Sequence, residues 1–497
     1  MAPRTTRASR SKGSAAKPRR APADSPARRA EKIRRSVARG RLEDLTPLLL
    51  ALSDPTPGLR QTAAVALGML KDPRARSALA ASLTDPDPAV RASAAEALGA
   101  IGRAESREPL EAALGDPEAP VRLRVALALR QLADPASVPA LAVRASDPSA
   151  EVRQAVAAAL GGIGNDAAAR ALAGLFADAS DRVRREAVLG YGRRTDAEVV
   201  ATVRPFLADP ARRVRVAAAV VLGRHRDRAS VPLLLERLTS PETWEKPAVL
   251  VALGRIGDAA AVPALLAASE HPAHWVRVCA IHALGDLGVP EARSAALAHV
   301  HDDSWAVRGA AAIALGATAG PDELATLLEL LDDTHPWPRR GATYALGRLG
   351  LTEAAPRIRE ELADPVAEVR LAAIWALGRL GDDGAREELV RLLYGVHPGA
   401  ADPVPDAAPD TGEPLRSDAE SRLFDAAVQA LGRLSPGAPD PFVQRALAEV
   451  RGRLSEEELD RAARLPLPEV GNERPTPTLR ALFETAIATS GDDEDVG

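Results

Sequence analysis

Short apolar stretches follow one another along the chain, and within each of them the apolar residues return every three or four positions. This spacing places them on one face of an α-helix. A shorter stretch, such as the sequence VPALLAAS from Val262, alternates with a longer one. The pattern therefore predicts pairs of helices, one short and one long. In the stretch that starts at Asp85, the apolar face of the long helix consists of Val90, Ala94, Ala97, Leu98 and Ile101.

The long helix recurs with a fixed period. Its arginine returns with a 31-residue period and without an insertion, and only Lys246 replaces it. In most copies a glycine follows eight residues later. The last such glycine, Gly432, follows Gly378 after one period plus a 23-residue insertion. The period predicts about twelve two-helix units. The repeat arginines are Arg60, Arg91, Arg122, Arg153, Arg184, Arg215, Arg277, Arg308, Arg339 and Arg370.

Turn residues mark the ends of the long helices. We expect Asp85 to cap the helix that follows it and Pro86 to occupy its first position. Glycines such as Gly102 are placed to end these helices. The glycine inside the helix, such as Gly99, costs about 1 kcal/mol relative to alanine. Its recurrence therefore predicts that a neighbouring helix approaches closely at this point.

These features together resemble the HEAT repeat family, and most closely the short HEAT-like repeats of the phycobilisome (bilin) lyases. The Asp-Pro turn, the Val-Arg pair and the ending AAxALGxLG carry the resemblance over about residues 43–396 and 421–453. The resemblance implies an all-α solenoid of about twelve 31-residue repeats, whose stacking buries the apolar faces. It also implies a structural ladder between repeats, formed here by Asp85 with Arg91 and by the equivalent pairs.

Charge is distributed unevenly along the chain. Residues 1–41 contain 14 Lys or Arg and two acidic residues, so that they carry +12, whereas the remainder carries -16. The basic segment has almost no large apolar residues and is expected to be mostly disordered. We divide the chain into a basic tail (1–42), a repeat solenoid (43–396), a Pro- and Asp-rich insertion loop (397–420), a last repeat (421–453) and a C-terminal cap with an acidic tail (454–497).

Cysteine content and hydropathy restrict the cellular setting. The single cysteine, Cys279, excludes an intramolecular disulfide framework. No apolar run reaches the roughly 18–20 residues that a membrane span requires, and the basic N-terminal segment lacks the apolar stretch of a signal peptide. We therefore expect a cytoplasmic protein that is not membrane-bound, and we predict no cofactor.

Aromatic residues are rare, yet they concentrate in repeats seven to ten. Four tryptophans recur at the repeat period, to within one residue, and are expected in the turns between helices, along one edge of the solenoid. A fifth lies in a long helix one period after Tyr344. These residues either form an aromatic rail for a partner segment or pack over the neighbouring repeats. The tryptophans are Trp244, Trp275, Trp305, Trp337 and Trp375.

Histidines occur in the same repeats, in or beside the turns, together with Asp302, Asp303 and Asp333. Imidazoles and carboxylates from adjacent repeats are suitable ligands for a transition metal. Their spacing matches no known metal motif, so capping or solvated histidines are the simpler interpretation, and no metal is predicted. The histidines are His271, His274, His299, His301 and His335.

A further series of arginines lies nine residues after the repeat arginine. They either form a cationic strip for an anionic partner or complement the dipole at a helix C-terminus, and the second interpretation is simpler. The arginines are Arg193, Arg224, Arg255, Arg348, Arg379 and Arg433.

Catalytic motifs are missing from the sequence. It contains no phosphate-binding glycine loop, GxSxG, HExxH or CxxC, and no His-Glu dipeptide of the kind that binds iron in deoxyhypusine hydroxylases. We therefore favour a non-catalytic scaffold that binds a macromolecule, most simply a protein, on its concave face or its tryptophan-rich edge. An enzyme of the HEAT-like lyase type, bilin lyase-like or metal-dependent, is the alternative. A second alternative is a protein that associates with nucleic acid through residues 1–41.

We predict that residues 1–27 are disordered and confer any affinity for polyanions, because they contain much of the positive charge. Nucleic-acid binding should be measured across a salt series with and without this segment. The intact chain should bind more tightly, with an affinity that falls as salt rises. Equal affinity of the two proteins would refute this role.

Overall fold

The computed structural model of the protein describes residues 45–240, 245–318, 320–386 and 388–389. They form two compact units, which divide between Arg194 and Thr195. Every regular element within these ranges is a helix. The predicted basic tail (1–42), insertion loop (397–420), last repeat (421–453) and C-terminal segment (454–497) lie outside the described residues, and so does Trp244.

The first unit, as described from residue 45 to residue 194, consists of five helix pairs. In each pair a short helix precedes a longer one, and the long helices begin one repeat period apart and pack on each other in chain order. The helices are α1 (Thr46–Ala51), α2 (Pro57–Leu70), α3 (Arg76–Ser82), α4 (Pro88–Ile101), α5 (Arg107–Ala113), α6 (Ala119–Leu132), α7 (Val138–Arg144), α8 (Ala150–Ile163), α9 (Asp166–Ala173) and α10 (Asp181–Tyr191).

The second unit continues the same arrangement with six helix pairs in its described part. From residue 274 onward its long helices again begin one repeat period apart. The helices are α11 (Glu198–Val203), α12 (Arg212–Arg224), α13 (Val231–Leu238), α14 (Lys246–Ile256), α15 (Val262–Ser269), α16 (His274–Leu287), α17 (Pro290–Ala298), α18 (Trp305–Thr318), α19 (Leu324–Leu330), α20 (Pro336–Leu349), α21 (Ala355–Glu360) and α22 (Ala367–Leu380).

The predicted fold class, an all-α solenoid of two-helix repeats, is confirmed. Of the apolar face that the sequence pattern assigns to α4, Val90, Ala94, Ala97 and Leu98 are buried, and Ile101 at its end is partly exposed. In the second unit, Leu315, Leu346 and Leu377 are one period apart and fully enclosed. No helix among the described residues is both long and apolar enough to cross a membrane.

Close contact between neighbouring long helices explains the recurring internal glycine. A Cβ placed on Gly99 would lie 2.8 Å from the Cα of Ala128, and one on Gly347 would lie 2.7 Å from the Cα of Ala376. These distances are below ordinary van der Waals contact, so only glycine fits. The expected close approach is confirmed, and it brings small residues into the dense core that an alanine-rich helix requires.

The helix starts differ from the expectation by two residues. Asp87, not Asp85, caps α4, because its Oδ1 accepts the backbone N–H of Ala89 at 2.8 Å. Pro88 is the first residue of the helix, so the assignment to Pro86 was wrong as well. The ends agree with the prediction: Gly102 has φ +69°, a left-handed conformation that glycine adopts without strain.

Asp85 does not cap the helix but links neighbouring repeats. The Nε of Arg60 donates to Asp85 Oδ2 at 2.7 Å, and the Nε of Arg91 donates to Asp116 Oδ2 at 2.6 Å. Arg91 reaches its own turn only through Nη1, which donates to the carbonyl oxygen of Asp85 at 2.9 Å. The ladder therefore exists, but the expected side-chain pair of Asp85 with Arg91 was wrong. Arg60 and Arg91 each bind the carboxylate of the following repeat.

These rungs are strong because each guanidinium donates two N–H groups to one shielded carboxylate. The guanidinium of Arg60 holds the pKa of Asp85 below its ordinary value of 3.8. A lowered folded-state pKa means that the rung stabilises the protein above pH 3.8 and loses this contribution as the pH falls through the folded value. The other rungs are Arg122–Asp147 and Arg153–Asp178 in the first unit, and Arg277–Asp302, Arg308–Asp333 and Arg339–Asp364 in the second.

One rung of the second unit is absent, and both of its members are replaced. Lys246 stands where the ladder has arginine, and His271 stands where the following repeat has aspartate. No hydrogen bond joins these two described residues. The Nδ1 of His271 instead accepts the backbone N–H of Ala273 at 3.1 Å, as the carboxylate does elsewhere. Burial, with the positive charge of Lys246, lowers the pKa of His271.

We predict that the double change Lys246→Arg with His271→Asp restores this rung. The new charge-assisted pair should stabilise the protein by about 1–2 kcal/mol, and this gain should exceed the sum of the two single changes because each alone leaves an unmatched group. Urea denaturation followed by circular dichroism measures the effect.

The matched control is the reverse conversion in the first unit, Arg91→Lys with Asp116→His. It should destabilise the protein by a similar amount. A double variant that is no more stable than the sum of its single changes would show that the rung contributes nothing at this position.

Candidate functional site: an aromatic and arginine surface

The long helix α20 presents a mixed stripe of aromatic and basic side chains. Trp337, Arg340, Tyr344 and Arg348 are separated by three, four and four residues, so they lie along one helical face. Each of them is partly exposed. The neighbouring long helices, α18 and α22, add further aromatic rings at the two ends of this stripe. The stripe is therefore the central row of a larger surface.

One aromatic cluster lies at the start of the helix. The ring of Trp305 is 45% exposed and stacks on the imidazole of His335, with 3.9 Å between ring centroids. Its edge faces Trp337, with 6.3 Å between centroids. The Nδ1 of His335 accepts the backbone N–H of Trp337 at 3.2 Å, so the ring proton is on Nε2. Burial lowers the pKa of His335, which favours this neutral form.

Trp337 is fixed by packing against the preceding long helix. A Cβ on Gly309 would lie 1.8 Å from Trp337 Cδ1, so the indole occupies the space that any other residue at 309 would need. The guanidinium of Arg340 lies over the same indole, 5.3 Å from its centroid. Trp337 therefore joins two repeats, and its ring is less available to a partner than that of Trp305.

A second aromatic cluster lies further along the same helices. Trp375 stacks on Tyr344 with 4.7 Å between centroids and an interplanar angle of 18°. The guanidinium of Arg379 lies 5.6 Å from the centroid of Trp375. A Cβ on Gly347 would lie 3.1 Å from Trp375 Cζ3, so this glycine admits the indole. The ring is thus held on several sides while Tyr344 and Arg379 stay partly exposed.

Two arginines of this region, Arg348 and Arg379, form no ion pair with any acidic residue in the described part of the chain. The combination of flat aromatic faces and unpaired guanidinium groups suits a ligand that has both apolar and negative groups. We call this region the aromatic–arginine surface, and it consists of Trp305, His335, Trp337, Arg340, Tyr344, Arg348, Trp375 and Arg379.

The aromatic–arginine surface contains only some of the tryptophans of the predicted rail. Trp275, Trp305 and Trp337 lie in the first turns of long helices, and not in the preceding turns as we expected. Trp275 is half-buried. The structure brings Trp305 and Trp337 into contact, whereas Trp375 belongs to the second cluster. Partner binding by these residues stays a prediction.

The histidines favour the capping interpretation at one position. His335 caps α20, because its Nδ1 accepts the backbone N–H of Trp337. His271 instead accepts the N–H of Ala273, which precedes α16. His274 and His301 are exposed, and His299 is buried, with its Nε2 3.5 Å from a carboxylate oxygen of Glu270. Within the described ranges, no three His, Cys, Asp or Glu side chains come together as a metal site.

The arginine series occupies the ends of long helices. Arg224, Arg255, Arg348 and Arg379 lie in the last turns of α12, α14, α20 and α22, where a positive charge complements the helix dipole. Arg193 belongs to the first unit, is exposed, and follows the end of α10. Arg348 and Arg379 belong to the surface defined above: Arg379 lies over Trp375, and Arg348 follows Tyr344 by four residues on the same helical face.

Sequence reasoning did not single out Gly309 or Arg340. A signal for Gly309 is nevertheless present, because the position after the repeat arginine is glycine in this copy alone among those between residues 60 and 371. A small residue there, 28 residues before a tryptophan in the first turn of the next long helix, indicates that the indole is accommodated by the preceding repeat. Arg340 occupies the same position in the next repeat, where no comparable pattern marks it.

Comparison with known families agrees with this architecture. The model of the family described as HEAT repeats matches seven overlapping segments, which together span most of the chain. The chain therefore belongs to the HEAT repeat family. The matched segments are residues 45–130, 108–192, 173–250, 200–278, 241–316, 268–347 and 324–397.

Solved structures give similarities of fold alone. The structure of Kap95p with RanGDP is 13% identical, with a TM-score of 0.49, and the match covers 94% of this chain and 72% of that one. The complex of CpcE and CpcF of phycocyanin lyase from Nostoc sp. PCC7120 is 23% identical, with a TM-score of 0.27, over 55% of this chain and 93% of that one. Human deoxyhypusine hydroxylase is 24% identical, with a TM-score of 0.24, over 49% and 95%. The search of curated proteins gives no match.

We predict that Trp337 is a packing residue and that Trp305 is not. Trp337→Ala should destabilise the protein by about 2 kcal/mol or more, because it leaves a gap beside Gly309. Trp305→Ala should cost about 1 kcal/mol or less, since it removes mainly the stacking on His335. Urea denaturation of both variants measures the difference.

A double-mutant cycle makes the assignment specific. Gly309→Ala should strongly destabilise the protein when Trp337 is present and cost much less in the Trp337→Ala background, because the clash is with the indole. Equal costs in the two backgrounds would contradict the packing role.

Proposed function

We propose that this protein is a non-catalytic, cytoplasmic scaffold or adaptor that binds a protein partner on the aromatic–arginine surface. The observation that carries the proposal is the ring of Trp305, which is 45% exposed while it is held in place by His335. Aromatic residues are only 3% of the chain, so an exposed and ordered indole is unusual in it. Tryptophan is among the residues that contribute most to protein interfaces.

The energetic gain from covering this ring supports the proposal. A tryptophan side chain offers up to about 200 Å² of surface, and burial of the exposed half is worth about 2 kcal/mol at roughly 25 cal/mol per Å². The stacking on His335 reduces the rotamer freedom that binding would otherwise remove. Trp305 is therefore the preferred anchor, whereas Trp337 positions the surface. Trp275 and Trp244 extend the proposed rail toward the preceding repeats.

Repeat architecture also favours binding. Helix pairs that contact only their neighbours leave one face of each long helix uncovered, and such faces are the usual binding surfaces of repeat proteins. The side chains on these faces can change without loss of the core. This is the pattern in α18, α20 and α22, where the buried leucines and alanines keep the repeat while the partly exposed positions hold aromatic and basic residues.

Site-specific photocrosslinking tests the location directly. We predict that p-benzoylphenylalanine in place of Trp305 captures a defined protein partner in cells of the source organism, identified by mass spectrometry. The matched control is the same photoreactive residue in place of Val65, which is 47% exposed on the long helix α2 of the first unit. The adduct should form at position 305 and not at position 65.

The captured partner should then lose affinity for the Trp305→Ala protein by about tenfold or more, with an unchanged helical circular-dichroism spectrum and a melting temperature that falls by at most about 4 °C. Failure to obtain an adduct specific to position 305, or undiminished affinity of the variant, would overturn the proposed location.

A further inference from the structure

We infer that the segment docked on the aromatic–arginine surface is an acidic peptide, with its carboxylates bound by Arg348 and Arg379 and its backbone lying across Tyr344 and Trp375. This inference rests on the proposed function, because it gives the chemistry of the partner at the same surface. It concerns the second aromatic cluster, which lies about two to three helical turns beyond Trp337 along the stripe of α20.

The rigid platform is the first argument. Trp375 is fixed by its stacking on Tyr344, by the contact with Gly347 and by the guanidinium of Arg379. It also packs against the buried core of the second unit. A ring that is already immobilised loses little entropy when a partner covers its neighbours. The site is therefore preorganised for an extended segment.

Charge complementarity is the second argument. Three ladder arginines of this unit, Arg277, Arg308 and Arg339, each bind a carboxylate, as Arg339 does with Asp364 at 2.8 Å. Arg348 and Arg379 occupy equivalent positions one period apart, and neither has a carboxylate partner among the described residues. A guanidinium group binds a carboxylate through two parallel N–H donors. Two such groups at the same depth of adjacent helices therefore suit an acidic strand.

The combination of unpaired arginines with aromatic rings, and not the positive charge alone, distinguishes the second aromatic cluster. Arg103 and Arg193 are also exposed and without acidic partners in the described part of the chain, but no aromatic ring there contacts either of them. They lie in the first unit, and Arg193 has the same position in its repeat as Arg348. These two residues therefore serve as a control for the removal of two positive charges.

A peptide is favoured over a nucleic acid by the surrounding charge. Residues 42–396, which contain the stacked repeats, hold 40 basic and 46 acidic residues, a net charge of -6, so they do not attract a long polyanion. Two guanidinium groups are enough for a short acidic segment, whereas nucleic-acid binding generally requires a longer basic track. The experiment must therefore distinguish binding of an acidic peptide at this surface from binding of a nucleic acid.

The probe is a short fluorescein-labelled peptide of alternating Glu and Pro, measured by fluorescence anisotropy with the full chain. Proline keeps the peptide extended and offers flat rings to the aromatic platform. We predict that the protein binds it about tenfold more tightly than the matched peptide of Gln and Pro, with an affinity that falls as salt rises.

The double change Arg348→Gln with Arg379→Gln should reduce the affinity for the acidic peptide to that for the Gln peptide. The control, Arg103→Gln with Arg193→Gln, should leave it unchanged. Equal loss in the two double variants would overturn the inference, because net charge alone would then explain binding. Equal affinity of the protein for the Glu peptide and the Gln peptide would also overturn it. The same holds if a labelled oligothymidylate binds and loses more affinity in the Arg348→Gln, Arg379→Gln protein than the acidic peptide does.

The crosslink at position 305 separates the two proposals. If the partner adduct forms at position 305 but the unaltered protein binds the acidic peptide no more tightly than the Gln peptide, the inference fails while the proposed function stands. If no specific adduct forms at position 305, the proposed function fails, and the peptide measurement on purified protein still decides the chemistry of the second cluster.

Discussion

An arginine that binds two repeats at once is the interaction on which the stacking of the helix pairs depends. Arg122 shows it most clearly: Nη1 donates to the carbonyl oxygen of Asp116 at 2.8 Å, and Nε donates to the carboxylate of Asp147 at 2.7 Å. Arg122 and Asp147 are both buried, so the loss of either one would leave an uncompensated charge. Because the pair spans a single junction, each repeat constrains only its neighbour.

The missing rung is tolerated for the same reason. Lys246 and His271 occupy the two positions of one arginine–aspartate pair, and both are replaced. The junction therefore contains no guanidinium or carboxylate that has lost its ladder partner. At the preceding junction Ser240 stands in place of the ladder aspartate, and Glu245 accepts from Arg215 instead, while at the following junction Arg277 binds Asp302. The arginines of both neighbouring junctions therefore keep a carboxylate partner. The repeats after this point diverge at their exposed positions, and it is there that the aromatic and histidine residues accumulate.

The sequence repeat made the fold predictable, whereas the helix caps and the ion pairs were harder to assign because more than one residue fits each role. The constant repeat period and the internal glycine gave the helix pairs and their close approach. Asp85 and Asp87 are each followed by proline, so the sequence offers two equivalent caps, and only the backbone selects Asp87. Arg91 lies six residues from Asp85 and 25 from Asp116. Proximity along the chain favoured the first pairing, but the packing of adjacent repeats brings the second carboxylate closer to the side chain.

The candidate site was predictable in position but not in structure, because spacing places a residue on a helix and does not give the direction of its ring. Trp305 and Trp337 are nearly one period apart, yet one is exposed and the other fills the space above Gly309. The difference has a functional consequence. Packed rings such as Trp337 and Trp375 hold their exposed neighbours in fixed positions, so a partner meets an ordered surface and loses less free energy to side-chain ordering. The packing and binding interpretations of the aromatic residues are therefore complementary, since the packed rings are what preorganise the exposed ones.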